Sequence, residues 1–454
     1  MNSTDTAPLV HDGSLGSGPA PRQPAANLDL SVVIPALDEA ENLAQLLPAL
    51  TATLQRLGIR HEILIVTSAP DAETLNVARR SGALVLEQPH PGYGAALAHG
   101  FAKAGGAFCL TMDADLSHPA AFAEILWTNR HEADVVIASR YVKGGSADMS
   151  RYRYILSRVL NALFSIGLDV PIGDLSSGFR LYRSAVIRGQ GPSAADFDAL
   201  QQIVVQAYAE GWRVREVPFA YQPRGSGASH ARVFRVGRAC LRTFARLWRL
   251  RNSILAADYD DRAHDSRIFL QRYWQRSRFR HVTELIAGEG AVLDVGCGSS
   301  RIIGSLPHGS VGVDVLLRKL RYARRFGRSL VHGSGFALPF ADASFSCVLC
   351  SQVIEHVPKA SPILDELCRV LRPGGRLVLG TPDYANWQWV YIEKLYGMVP
   401  GGYADEHISH YSHDELIRIM EQRGLRFEAE RYILRGELIM AFRKGPPYTL
   451  STSA

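Results

Sequence analysis

Short β-branched runs alternate with leucine-spaced stretches along most of the chain. Leu30 to Ala36 is such a run, and Glu39 to Leu57 then carries Leu43, Leu46, Leu47, Leu50 and Leu54 at helical spacing, which predicts a strand followed by a helix. The alternation continues through Glu62–Val66, a helix from Asp71 to Ser81, Ala83–Leu86, a helix from Gly94 to Lys103, Ala107–Met112 and Asp134–Tyr141. Alternating β and α units predict a mainly parallel sheet, with the functional site at the carboxyl ends of the strands. After a connector at Ser253–Asp265 the pattern starts again. A helical stretch from Ser266 to Ile286 leads into the strand Ala291–Val295, a glycine-rich turn at Gly296-Cys297-Gly298, and a strand Val311–Val313 closed by Asp314. The fold class expected is α/β throughout, in two domains.

Composition adds limits to this picture. With 454 residues, 47% of them apolar and 21% charged, the chain is ordinary globular material long enough for two or three domains. Residues 1–27 are rich in Gly, Ser, Pro and Ala without an apolar run, and read as a disordered tail and not as a signal peptide. No apolar stretch approaches the roughly 20 residues of a transmembrane helix. The six cysteines lack disulfide-framework spacing, and Cys347-Val348-Leu349-Cys350 lies inside an apolar strand, so reduced, buried thiols are expected.

Charge changes the picture locally. Net charge is +6, yet Val217–Ala257 holds eight arginines and no Asp, Glu or Lys, so the remainder nets −2. From Arg232 to Arg251 the arginines recur every two to four residues, while Phe234, Leu241, Phe244 and Trp248 take another face. This predicts an amphipathic helix with a basic stripe over 231–251, suited to an anionic membrane surface or to a lipid phosphate. No nucleic-acid module accompanies it, and none is expected as partner. The expected location is cytoplasmic, peripheral at the inner face of the membrane.

Candidate chemistry begins where the strand Ala107–Met112 ends. Asp113 and Asp115 flank Ala114, and alternate side chains of extended backbone can face one site, which suits Mg²⁺ or Mn²⁺ held jointly with a phosphate. The same residues also read as an Asp-rich turn opening a helix, with Ser117 as N-cap and Pro119 in its first turn. Arg140 closes the strand Asp134–Tyr141, where its guanidinium is placed to meet a phosphate.

The run Val33-Ile34-Pro35-Ala36-Leu37-Asp38-Glu39, Met112 to Pro119, Ala138 to Gly145, Ser177 to Arg183, Glu216-Val217-Pro218 and Arg224 to His230 resembles, in order and spacing, family 2 glycosyltransferases of the dolichyl-phosphate-mannose-synthase type. The resemblance implies a GT-A fold, inverting transfer from a nucleotide sugar, and a polyprenyl phosphate acceptor. It implies Pro35, Leu37, Glu39, Ser68, Asp113, Ala114, Asp115, Arg140, Arg224 and His230 as donor-binding, with Asp113 and Asp115 as metal ligands and Asp115, Arg140 and Arg224 as catalytic. Three positions depart from the family pattern: Ser68 replaces an acid that contacts the nucleotide base, Gln202 a frequent Glu, and His230 a usual Lys. Donor identity is therefore not inherited, and a methyltransferase carrying a weak, lipid- or phosphate-binding glycosyltransferase-like module is the alternative.

In the second half, the Asp294 to Ser300 turn, Asp314 twenty residues on, Ser351 to Val357 and Leu371 to Leu379 resemble class I S-adenosylmethionine-dependent methyltransferases with a Rossmann-like fold. By that resemblance Asp294, Gly296 and Gly298 cradle the methionine part, Asp314 the ribose, and Ser334 stands near the adenine. His356 is a candidate base toward a small-molecule methyl acceptor. Asp405, His407, His410 and His413 read as a substrate-side loop, since they close no ligand pattern. The expected organisation is a tail (1–27), a glycosyltransferase domain (28–230), a basic helix and linker (231–262), a methyltransferase domain (263–443) and a second tail (444–454).

Overall fold

The computed structural model describes residues 28–188, 196–223, 233–397 and 407–445, with the backbone alone for 233–238 and 393–397. Contacts divide the chain into two compact units. One comprises 1–166, 171–204 and 214–243, the other 167–170, 205–213 and 244–454.

The first unit is built on seven strands, β1 (Leu30–Pro35), β2 (His61–Thr67), β3 (Leu84–Glu87), β4 (Phe108–Thr111), β5 (Val135–Ser139), β7 (Arg180–Arg183) and β8 (Val214–Pro218), with a small pair of β6 (Ser146–Ala147) and β9 (Ala220–Tyr221). Their order is β3-β2-β1-β4-β7-β5-β8, parallel except for β7, which runs antiparallel to both its neighbours. β1 over Val32–Pro35 and β2 over Ile63–Val66 are apolar runs because both faces are covered there, which is what a parallel sheet demands. Leu43, Leu46, Leu47, Leu50 and Leu54 of the helix Ala40–Arg56 are all buried against this sheet, so the leucine spacing read from the sequence is its packing face. Strand order reverses between β1 and β4, and loops leaving those two strands part to form a crevice.

The second unit repeats the plan with β10 (Val292–Val295), β11 (Val311–Asp314), β12 (Ser329–His332), β13 (Phe345–Ser351), β14 (Leu371–Pro382), β15 (Leu425–Ile433) and β16 (Glu437–Lys444). The order is β12-β11-β10-β13-β14-β16-β15; the first five are parallel, and β16 runs antiparallel between β14 and β15. Here the reversal lies between β10 and β13. Cys347 and Cys350 fall on opposite faces of β13, both fully buried, and burial raises both thiols. Two α/β domains with mixed, mainly parallel sheets are thus the architecture.

Candidate functional site

Past β4 the backbone leaves extended geometry, so Asp113 and Asp115 sit in a loop and not on alternate positions of a strand. They nevertheless meet at one cavity of about 320 Å³. Its wall takes Pro35 from the end of β1, Leu37 and Glu39 from the loop after it, Ser68 from that after β2, and Asp113, Ala114 and Asp115. The reading of this stretch as a turn before a helix holds in outline but not in its caps. Ser117 caps no helix: its hydroxyl and its backbone N–H both turn back to Asp115 Oδ1, at 2.5 and 3.1 Å, and it is Pro119 that stands at the N-cap of the 3₁₀ turn Ala120–Phe122, which runs into the helix Ala123–Thr128.

Each carboxylate is held differently. Asp115 is buried and fixed by Ser117, whereas Asp113 is about one-third exposed to the cavity. Tyr93 donates its hydroxyl to Asp113 Oδ1 at 2.9 Å. Burial and the Asp113 charge push that phenol well above its usual range, so it remains a donor. The backbone N–H of Asp113 donates to Nδ1 of His118 at 2.9 Å, while the His118 ring stacks on Phe179 with centroids 4.8 Å apart. Burial lowers the His118 pKa, and the backbone bond then assigns its proton to Nε2. Gly178 makes the arrangement possible, since a Cβ there would lie 2.6 Å from the Tyr93 hydroxyl and 3.1 Å from Asp113 Oδ1.

Several wall residues had no role in the sequence reading. Gln88, Tyr93, Asp196 and Phe197 line the cavity, with Phe197 stacked on Tyr93 at 4.8 Å. Nothing in the spacing of Gly92-Tyr93-Gly94 reveals that the tyrosine reaches Asp113.

In the second unit the turn after β10 is built by backbone. Gly296 and Gly298 have φ of +75° and +55°, and a Cβ on Gly296 would stand 2.2 Å from Val353 Cγ2, so both conformation and space require glycine there. Asp314 ends β11 and accepts from the backbone N–H groups of Gly298 (2.8 Å) and Leu316 (2.7 Å). A carboxylate has about four lone-pair sites, so it retains acceptor capacity toward a ribose. Asp294 is buried, and burial and the Asp314 charge push it up to about 7. Ser334 follows β12, accepting from Phe336 N–H at 3.1 Å. The sequence reading missed Asp260, which accepts from Ser299 N–H (3.1 Å), Ser299 Oγ (3.0 Å) and Lys319 Nζ (2.9 Å) and so braces the glycine turn. Burial opposes its charge, but Lys319 and Ser299 outweigh burial and hold its pKa low.

Comparison with known proteins meets this geometry in both halves. Residues 31–189 match the family model described as glycosyl transferase family 2, and residues 293–379 match that described as methyltransferase domain. The chain is thus similar to family 2 glycosyltransferases in its first half and to methyltransferases in its second half. Among curated proteins, it is similar to the dolichol-phosphate mannosyltransferase of Pyrococcus furiosus, 30% identical over 211 residues, covering 44% of this chain and 59% of that protein. A low-salt glycan biosynthesis hexosyltransferase of Haloferax volcanii is 26% identical over 210 residues, 44% of this chain and 49% of that protein. The chain thus spans about half the length of these relatives. A solved S-adenosylmethionine-dependent methyltransferase, a possible histamine N-methyltransferase of Thermotoga maritima, is 23% identical, covering 38% of this chain and 93% of that one, with a TM-score of 0.32.

The remaining candidates fare unequally. Arg140 of the glycosyltransferase domain is not a phosphate clamp awaiting a ligand. Its Nε and Nη2 grip the fully buried Asp174 at 2.7 and 2.6 Å, Nη2 also donates to Ser176 at 2.8 Å, and it is absent from the cavity wall. A strand-end arginine looks the same in sequence whether its partner is an anionic ligand or a buried aspartate. Arg224 and His230 lie outside the described residues, as do Asp405 and the 1–27 tail.

The basic helix forms, as Val233–Arg251, but with a different division of faces. Arg251 is no part of a solvent-facing stripe: it is fully buried, bonded through Nη1 and Nη2 to Asp258 at 2.5 and 2.7 Å and through Nε to the carbonyl of Leu168 at 3.1 Å. Arg242, Arg246 and Arg249 are exposed together with Leu241 and Trp248, while Leu247 is buried. Arg232, and the side chains of Phe234, Arg235 and Arg238, fall outside the description. The helix Arg151–Gly167 supplies what the sequence reading overlooked, an outer face with Tyr152, Ile155, Val159 and Ile166 each at least 60% exposed. Among the described residues no helix is long and apolar enough to cross a membrane.

In the methyltransferase domain, His356 ends a 3₁₀ turn, Ile354–His356, just after β13 and is exposed. Glu355 beside it is fully buried, and burial pushes its carboxyl up to about 8. Thr381 is near enough to favour the ionised form, yet neither carboxylate oxygen completes a hydrogen bond.

Proposed function

We propose that the first domain transfers a sugar from a nucleotide-sugar donor to a polyprenyl phosphate, and that the second methylates a small molecule, glycan or lipid with S-adenosylmethionine. The observation that carries the first part is the cavity at the β1/β4 crevice, where Pro35, Leu37, Glu39, Ser68, Asp113, Ala114 and Asp115 converge. A donor set of two neighbouring carboxylates on that wall fits a hard divalent cation of the Mg²⁺ or Mn²⁺ type. When bound, such an ion neutralises the leaving diphosphate. The chain's own residues do the rest. Ser117 and Tyr93 fix the two carboxylates, Pro35 and Leu37 offer an apolar wall to a base, and Ser68 offers it a neutral hydroxyl instead of a charge.

For the second domain, the glycine turn leaves its backbone open to a ligand while Asp314 offers carboxylate lone pairs at the neighbouring strand end. The sulfonium donor brings an activated methyl group. Orientation and exclusion of water are the tasks left to the protein.

A polyprenyl phosphate acceptor draws support from the named activity of the Pyrococcus relative and from two exposed surfaces. Arg242, Arg246 and Arg249 suit anionic headgroups, each worth about 1 kcal/mol near such a surface, and the outer face of Arg151–Gly167 suits an apolar layer. Sugar-nucleotide hydrolysis or transfer, measured over a panel of donors with and without divalent cation, tests the reading: wild type releases nucleotide only with the cation and Asp115→Ala does not. Release that is equal in Asp115→Ala refutes it. For the membrane, Arg242→Glu, Arg246→Glu and Arg249→Glu combined abolishes sedimentation with anionic vesicles, and unchanged sedimentation removes the helix from the proposal.

A further inference from the structure

The loop after β13 and the chain around residue 407 come together, and this brings the candidate base His356 beside His407 of the late loop. Glu355, His356 and His407 each present one ligand atom, and these atoms lie within 4.8 Å of one another. The backbone fixes the meeting: the N–H groups of Ile408 and Ser409 both donate to the carbonyl of Glu355, at 2.8 and 2.9 Å, so His407 is held beside Glu355 whatever its side chain does. The two imidazole centroids are 4.9 Å apart. Tyr384 OH lies 2.7 Å from Nδ1 of His407, the kind of contact on one ring nitrogen that orients an imidazole whose other nitrogen serves a metal.

What points to a ligand is Glu355. It is fully buried, and neither Oε1 nor Oε2 has a hydrogen-bond partner among the described residues. A buried carboxylate is costly unless something satisfies it. Glu437, equally buried, shows the usual solution, with Nε and Nη2 of Arg278 each at 2.6 Å and the Trp274 indole as a third donor. Among the described residues no guanidinium or indole bonds Glu355 in this way, and the carboxylate faces two imidazoles instead.

We propose that Glu355, His356 and His407 form a binding site for a divalent transition-metal cation. One carboxylate oxygen and two imidazole nitrogens make up a common three-ligand set for zinc and its neighbours, leaving further positions for water or substrate. Ligand distances of about 2.0–2.2 Å require the three atoms to close by roughly an ångström, within reach of side-chain rotation. The site stands at the carboxyl edge of the sheet. Val353, two residues before Glu355, packs against Gly296 of the glycine turn. An oxygen-bearing acceptor, such as a diol or carboxylate, bound to the cation would be held near the donor turn; that use rests on the methyltransferase reading, whereas the cation site does not.

The test uses the full chain, free of any affinity tag, with Asp115→Ala to remove uptake by the glycosyltransferase cavity. Titration with Co²⁺ is followed by visible absorption, which is intense for a low-coordinate nitrogen-containing site and weak for an all-oxygen one. One equivalent with the intense spectrum is expected, and His407→Ala should weaken binding at least about 10-fold while thermal unfolding is retained. Glu355→Gln, folded by the same criterion, should do likewise. Absence of Co²⁺ uptake, or uptake indifferent to His407→Ala, overturns the proposal; methyl transfer is not needed for either readout.

Discussion

The two candidate sites occupy the same place in their sheets, yet they are made of different material. In the glycosyltransferase domain the crevice between β1 and β4 is lined by side chains, and its chemistry depends on where Asp113, Asp115 and Tyr93 are aimed. In the methyltransferase domain the equivalent position after β10 is backbone, a turn that only glycine can follow at Gly296. A side-chain site tolerates change in its walls but loses function when an aimed group is removed. A backbone site tolerates polar substitutions around it but not an added carbon.

The sharpest way to break this contrast is Gly296→Ala. The new Cβ meets Val353 at 2.2 Å on a backbone with φ of +75°. Strain and overpacking together cost about 2–5 kcal/mol, and calorimetry should find S-adenosylmethionine binding lost with nucleotide release intact. Next comes Asp115→Ala, for which cation-dependent nucleotide release should fall by about 100-fold or more, the usual scale for losing charge stabilisation. Methyl-donor affinity should not move.

A smaller effect probes electrostatics. The Asp294 pKa is raised from 3.8 to about 7, so the fold favours its neutral form. Its stabilising contribution is complete below about pH 4 and is lost as pH rises to 7, with a limiting slope of about 1.4 kcal/mol per pH unit. Unfolding of the methyltransferase domain, followed by denaturant titration from pH 4 to 8, should show this decline in wild type and a flatter profile in Asp294→Asn. An identical slope in the two proteins would remove Asp294 as its source. The smallest effect is Tyr93→Phe, which deletes one hydrogen bond to Asp113 and should cost about 1 kcal/mol, read as a roughly 5-fold rise in the apparent KM for donor.

Much of this was legible in sequence, for identifiable reasons. Leucine spacing in Ala40–Arg56 reports a buried face because helical periodicity and burial are the same constraint. The glycine turn and Asp314 were legible because backbone that must approach a ligand leaves a mark on residue type. Seven predicted donor-site residues share the cavity because they follow strand ends in one sheet. Arg140 and Arg251 misled: a guanidinium is counted as positive charge in sequence, while its partner, Asp174 or Asp258, is chosen by the fold.

By itself the sequence determined two α/β domains, their order, and the strand ends at which chemistry collects, since periodicity and glycine placement are local consequences of backbone geometry. Tertiary structure alone decided which groups meet. Tyr93 reaches Asp113 across 20 positions, and His407 arrives beside Glu355 across 52, because strand order and backbone hydrogen bonding, neither written locally, bring distant loops to one edge of a sheet.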